Sequence, residues 1–101
     1  MRIGFMSDTL LTSAKETFML ECKAADLTDK TIRSYRDVLT KFMKFTGDIT
    51  VQQLKSDHVR LYIADLADRM GRYSLAKHYA VIRTWIRWLY AGAGVARRQS
   101  L

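Results

Sequence analysis

Apolar residues recur at spacings of three and four along most of this sequence, which is the pattern that one buried face of an α-helix produces. No proline interrupts the pattern, and the β-branched residues are scattered instead of alternating with polar ones as in a half-buried strand. The 101 residues suffice for one domain but not for two with independent cores. We therefore predict an all-α fold, a bundle of four long helices with one additional short helix.

Capping signals divide the chain into these helices. The first helix has two candidate caps, Ser7 and Ser13, the second of which is followed by Glu16 at capping-box spacing. Gly47 and Gly71 are expected to end the second and third long helices, because Gly is common just after a helix. The predicted caps of the later helices are Thr28, Thr50, Ser56 and Ser74. The long helices are predicted at about residues 8–24, 28–46, 56–70 and 74–90.

Residues 8–91 are expected to form the folded domain. Residues 1–7 are expected to be an N-terminal tail, and residues 92–101, small and basic, a flexible linker or an artificial end. Cys22 is the only cysteine, so no internal disulfide can form, and we expect it to be a buried core residue of the first helix. No apolar run approaches the roughly 20 residues that a membrane-spanning helix needs.

Helical wheels predict which apolar residues face the core. On the second helix the predicted stripe is widened by Phe45, and on the fourth it contains Tyr79 and is extended to one side by Trp85 and Trp88. The other predicted core residues are Leu11, Ala14, Phe18, Ile32, Tyr35, Val38, Leu39, Phe42, Val59, Tyr62, Ile63, Leu66, Met70, Leu75, Val81, Ile82, Ile86 and Leu89.

The positive charge of the chain is unevenly distributed. Residues 28–46 carry five basic and two acidic side chains, a net charge of +3, and residues 72–101 carry six basic and no acidic ones, a net charge of +6. The segments before and between these two each have a net charge of −1, which leaves +7 for the whole chain. A surface that attracts a polyanion would produce this distribution, whereas a uniformly charged, solvated surface would not.

The second and fourth helices each carry basic residues opposite their apolar stripe. The polar arc of the second helix contains Lys30, Arg33, Asp37, Thr40, Lys41 and Lys44, with Ser34 at its edge. On the fourth helix small residues alternate with basic ones, in the order Ala76, Lys77, Ala80, Arg83, Thr84 and Arg87. Clustered Lys and Arg gain affinity for DNA by releasing its counterions, and a helix fits the major groove. We therefore favour nucleic-acid binding over a merely solvated surface.

Four sequence elements resemble the N-terminal core-binding domain of the tyrosine recombinases, the phage-integrase family. The second helix opens with a Ser/Thr-x-x-Thr-hydrophobic-x-x-Tyr pattern, TDKTIRSY at residues 28–35, and ends near a Phe-x-x-Phe pair, FMKF at residues 42–45. The third helix contains DHVRLYI at residues 57–63, and the fourth contains IRTWIRWL at residues 82–89. The order and spacing of these elements carry the resemblance, which covers about residues 8–91.

The resemblance implies a SAM-like orthogonal four-helix bundle that forms half of a clamp around a recombination site. Its second and fourth helices would lie against the major groove of double-stranded DNA, and other recombinase protomers on the DNA would be further partners. For His78, which lies toward the apolar arc, a buried histidine is the open alternative to a DNA contact. The DNA-binding residues so implied are Lys30, Thr31, Arg33, Ser34, Lys41, Lys44, Ser74, Lys77, His78, Arg83 and Arg87.

Catalysis is expected to be absent from this chain. In the family that the sequence resembles, the catalytic residues lie in a separate C-terminal domain, and the His-x-x-Arg of that domain is not recognisable here. We expect no cofactor, no metal, no small-molecule ligand and no membrane partner, and a cytoplasmic location in a prokaryote or a phage-infected cell. The alternative function is a small helical protein-interaction or oligomerisation domain, with the flank of Trp85 and Trp88 as its interface.

Overall fold

A computed structural model describes residues 9–90, which form four α-helices around one core. The helices are α1 (Leu11–Ala24), α2 (Asp29–Thr46), α3 (Ser56–Ala67) and α4 (Arg72–Tyr90), and a 3-10 helix (Val51–Gln53) precedes α3. Within the described range the extended pairing is an isolated bridge between Leu10 and Thr50. The predicted all-α fold is confirmed. Ser7, the predicted tail at residues 1–7 and the predicted linker at residues 92–101 lie outside the described residues.

The beginning and end of α2 follow the predicted local signals. The Thr28 hydroxyl accepts a hydrogen bond from the Thr31 backbone N–H at 3.2 Å, which satisfies one of the unpaired donors of the first turn. Gly47 follows the last residue with a φ of 85°, a backbone conformation that favours glycine. The predicted Thr50 cap of the short helix is also confirmed, as part of a capping box in which the Gln53 and Thr50 side chains each accept a hydrogen bond from the backbone N–H of the other residue.

The predicted cap of α1 is wrong. Leu10 precedes the helix and has no capping side chain, while Ser13 lies inside the first turn. The Thr12 backbone N–H instead donates to the Asp48 carboxylate at 3.2 Å. Asp48 follows α2 in the chain, so an acceptor that is distant in sequence performs the task that the prediction assigned to a neighbouring serine.

The predicted cap of α3 and the predicted start of α4 are also displaced. Ser56 is the first residue of α3, and the N–H of Lys55 before it donates to His58 Nδ1 at 2.9 Å, so the capping acceptor is a ring nitrogen. The α4 helix begins at Arg72, which places Ser74 inside the first turn. Finally, α3 ends at Ala67, before Gly71, because the N–H groups of the next turn bond back to the Leu66 carbonyl.

The core lies where α2 and α4 cross, and each of these helices contacts all three others. Phe42 and Trp85 are completely buried and meet edge to face, with their ring centroids 6.4 Å apart. Phe42 also contacts the Tyr62 ring of α3, at 5.2 Å. Cys22 is buried as predicted, and burial, followed by the nearby Glu21 charge, raises the pKa of its thiol.

Three predictions about apolar surfaces are wrong. Phe45 and Tyr79 belong to the predicted core stripes but remain 41% and 45% exposed, although the Phe45 ring contacts the Tyr62 ring of α3 with centroids 5.3 Å apart. The proposed interaction surface at the two tryptophans is also absent. Trp85 is 0% exposed, and the half-buried Trp88 packs against the Phe18 ring of α1 with centroids 5.1 Å apart.

Candidate nucleic-acid interface

A groove of about 310 Å³ runs between the N-terminal half of α2 and the middle of α4. We call it the α2/α4 groove. It brings together four of the predicted DNA-binding residues, two lysines and two hydroxyl side chains, and no acidic residue lines it. The lining residues are Lys30, Thr31, Ser34, Tyr35, Lys77, Ala80, Val81 and Thr84.

The α2 side of the groove is organised by the cap of that helix. Besides accepting from the Thr31 N–H, the Thr28 hydroxyl donates to the Thr31 hydroxyl oxygen at 2.9 Å. The Thr31 hydroxyl keeps its own proton available for donation, since a hydroxyl has one donor and two acceptor positions. The capping residue therefore fixes a hydroxyl donor in the groove, next to the positive end of the α2 dipole.

Apolar residues support the polar ones from below. The Tyr35 ring stacks on Phe18 with centroids 6.0 Å apart and planes 8° apart, and Val81 is buried. On α4, the small Ala80 side chain lines the groove, and the Thr84 hydroxyl donates a hydrogen bond to the Ala80 carbonyl at 2.9 Å. The base of the groove is therefore packed, and the small side chain of Ala80 lets the backbone of another molecule approach α4 closely.

The two lysines of the groove have no acidic partner in the part of the chain that the structure describes. Among the described residues, neither Lys30 nor Lys77 forms an ion pair, and both are exposed. Lys41 differs, because its Nζ lies 3.2 Å from the Asp37 carboxylate one turn earlier on α2. Each wall of the α2/α4 groove therefore carries one lysine without an ion pair among the described residues, Lys30 near the N-terminal end of α2 and Lys77 on α4.

His78 is buried beneath this surface and is not one of its exposed residues. It is 7% exposed, and its ring centroid is 6.3 Å from that of Tyr62 on α3. Burial lowers the pKa of His78, the Lys41 and Lys77 charges lower it further, and Asp37 opposes them. This environment favours the buried-histidine alternative over a DNA contact.

The other candidate DNA-binding residues are dispersed. Lys41 and Lys44 line a shallower depression between α2 and α3, together with Asp65 and Arg69. Three further candidates are exposed and line none of the described grooves, namely Arg33, Ser74 and Arg87.

Arg83 and Lys77 lie on different sides of α4. The two residues lie six positions apart, which corresponds to about 120° around a helix. Arg83 lines a different groove, between α3 and α4, which Lys55 and Arg60 also line. These two cations were missing from the predicted site, since they lie on an otherwise acidic part of the chain, and only the packing of α3 brings them to α4.

The family comparison agrees with this architecture. Residues 18–92 match the family model described as "Phage integrase, N-terminal SAM-like domain". The chain belongs to this family. The match begins inside α1 and covers all of α2, α3 and α4, so it includes both walls of the α2/α4 groove. No significant match was found among curated proteins or among solved structures.

Family membership defines what kind of domain this is. The SAM-like domain is the N-terminal domain of integrases and not their catalytic domain. In the described part of the integrase domain, no group of three or more His, Cys, Asp or Glu side chains is arranged to hold a metal ion. None of the described helices combines the length and the hydropathy that crossing a membrane requires.

Proposed function

We propose that this integrase domain binds duplex DNA at a recombination site through the surface formed by α2 and α4. It would act as the DNA-binding module of a tyrosine-type site-specific recombinase, whose strand cleavage and rejoining take place in a separate catalytic domain. Other recombinase protomers on the same DNA would be its neighbours. The observation that carries the proposal is the α2/α4 groove, where two unpaired lysines and two hydroxyl side chains converge without an acid.

The chemistry of the α2/α4 groove suits a phosphodiester backbone. Lys30 and Lys77 offer ammonium groups to phosphate oxygens, and Thr31 and Ser34 offer hydroxyl donors beside them. The major groove of B-DNA, about 12 Å wide, admits an α-helix. Because the Ala80 side chain is small, the backbone of α4 can come close to the DNA while the longer basic side chains reach around the DNA.

The outlying candidates would extend this contact surface. Arg33, Lys41, Lys44, Ser74 and Arg87 are accessible and would contact the DNA backbone on either side of the α2/α4 groove. His78 is left out of the proposed contacts because it is buried, and Arg83 because it faces α3. The alternative of an interaction domain built on the two tryptophans is not retained, since Trp85 is inaccessible and Trp88 packs against α1.

The proposal is tested by measuring duplex DNA binding at several salt concentrations. Each phosphate contact contributes about −0.9 to the slope of log K against log salt. The Lys30→Ala and Lys77→Ala variants should each make the slope less negative by about 0.9, and the double variant by about 1.8. Fluorescence anisotropy with a labelled duplex gives the slope directly.

Lys23→Ala is the matched control, because it removes the same charge from the exposed last turn of α1. This variant should bind DNA almost as the unmodified chain does. Binding that is indifferent to salt, or an equal loss in Lys23→Ala and Lys77→Ala, would show that the α2/α4 groove is not the DNA-binding surface.

A further inference from the structure

The second groove of the domain, between α3 and α4, has a different chemical character. It has a volume of about 280 Å³, and we call it the α3/α4 groove. Aliphatic side chains from both helices and from the segment just before α3 line it, together with cationic and aromatic side chains. Its lining residues are Leu54, Lys55, Ser56, Val59, Arg60, Tyr79, Arg83, Ile86 and Tyr90.

Two tyrosines of α4 border the α3/α4 groove and are largely uncovered. Tyr79 is 45% exposed and Tyr90 is 67% exposed, although helical periodicity would allow Tyr79 to join the core. Next to them, Val59 and Ile86 are only partly buried against the core. Tyrosine and arginine beside a small apolar pocket are the residue types that dominate binding energy in protein interfaces.

The charges of the α3/α4 groove are positive. Lys55, Arg60 and Arg83 come from three separate segments, and no acidic residue lines the groove. Asp57, just outside, pairs with Arg60. Lys55 and Arg83 have no ion pair among the described residues, so two full positive charges remain uncompensated beside an apolar pocket.

The α3/α4 groove and the α2/α4 groove share no lining residue. Lys77 and Arg83 mark their positions on α4, about 120° apart around the helix. The two grooves therefore lie on different sides of the same helix, and a ligand of modest size in one leaves the lining of the other uncovered.

We propose that the α3/α4 groove binds an acidic peptide segment of a partner protein, with one large apolar side chain inserted between Leu54, Val59 and Ile86. Carboxylates on either side of that side chain would pair with Lys55 and Arg83, where Arg83 can accept a carboxylate with two parallel hydrogen bonds. A DNA backbone would satisfy the cations but has no apolar group for the pocket. The combination of charge and apolar lining therefore favours a peptide over a nucleic acid.

The probe for this proposal is a set of fluorescein-labelled hexapeptides with four Glu residues around a central Leu-Leu, Leu-Phe or Phe-Leu pair. At least one should bind the chain at a concentration below about 1 mM, which is the weak end of measurable affinity. Replacing its central pair by Ala-Ala should weaken binding at least tenfold. Combining Lys55→Ala with Arg83→Ala should also weaken it at least tenfold.

Lys23→Ala combined with Arg72→Ala removes the same two charges from exposed positions outside the α3/α4 groove and should change peptide affinity less than twofold. The proposal is overturned if no hexapeptide binds, if the Ala-Ala peptide binds equally well, or if the control variant loses as much affinity. It is also overturned if Lys55→Ala/Arg83→Ala weakens duplex DNA binding while leaving peptide binding intact. A self-association that this double variant abolishes would identify a second copy of the chain as the occupant and reject the partner peptide.

Discussion

Asp37 provides a test in which the proposed DNA affinity should increase. It is an acid on the basic side of α2, its carboxylate lies 3.2 Å from Lys41 Nζ, and its charge acts on the same buried His78 as the Lys77 charge does. The change Asp37→Asn removes the acid but keeps a side chain of the same size. Lys41 is then free to contact a phosphate, and a repulsive carboxylate no longer faces the DNA.

The expected gain follows from the charges involved. A pair of unit charges about 4 Å apart in water contributes about 1 kcal/mol, which corresponds to about fivefold tighter binding at low salt. One additional phosphate contact makes the salt slope steeper by about 0.9, so the advantage should shrink about 3.5-fold between 50 and 200 mM salt. The lost ion pair on the helix costs only about 0.3–0.5 kcal/mol of stability.

Fluorescence anisotropy of a labelled duplex at 50, 100 and 200 mM salt measures both effects, and circular dichroism checks that helicity is unchanged. Asp48→Asn is the matched control. It removes the same charge beyond the end of α2 and keeps an oxygen that can accept from the Thr12 N–H. If Asp37→Asn binds DNA no more tightly than Asp48→Asn, the surface around Lys41 and Lys77 does not contact the DNA.

Two further predictions concern stability. Because burial lowers the pKa of His78, the unfolded chain binds more protons than the folded one below about pH 6.5. The free energy of unfolding should therefore fall as the pH drops through this range. The variant His78→Gln should remove that part of the decline in urea midpoints measured from pH 8 to pH 5. An equal decline in the variant would assign it to other groups. Trp85→Ala should lower the free energy of unfolding by about 3–5 kcal/mol in urea titrations, because the ring is completely buried against Phe42. Tyr73→Ala, at an exposed position, is the control and should change this free energy by less than about 0.5 kcal/mol. A Trp85 variant as stable as the Tyr73 variant would contradict the description of the core.

Local sequence signals were sufficient to predict the order of the helices and both ends of α2. Thr28 and Gly47 mark the ends of α2 correctly, because a capping hydroxyl and a residue that tolerates positive φ act within one turn of the backbone. The unequal charge of the four segments likewise pointed to α2 and α4 as the basic helices. Capping of α1 could not be predicted in this way, since Asp48 is distant in sequence and reaches Thr12 only after the chain has folded back.

The composition of the two grooves depends on how the helices pack. A helical wheel places Lys77 and Arg83 on one polar arc of α4. It gives the direction of each side chain around the helix axis but not which neighbouring helix lies in that direction. Since α2 packs along one side of that axis and α3 along the other, Lys77 joins Lys30 while Arg83 joins Lys55. For the same reason Tyr79 remains exposed and His78 becomes buried, because coverage by a neighbouring helix is a property of the assembled bundle.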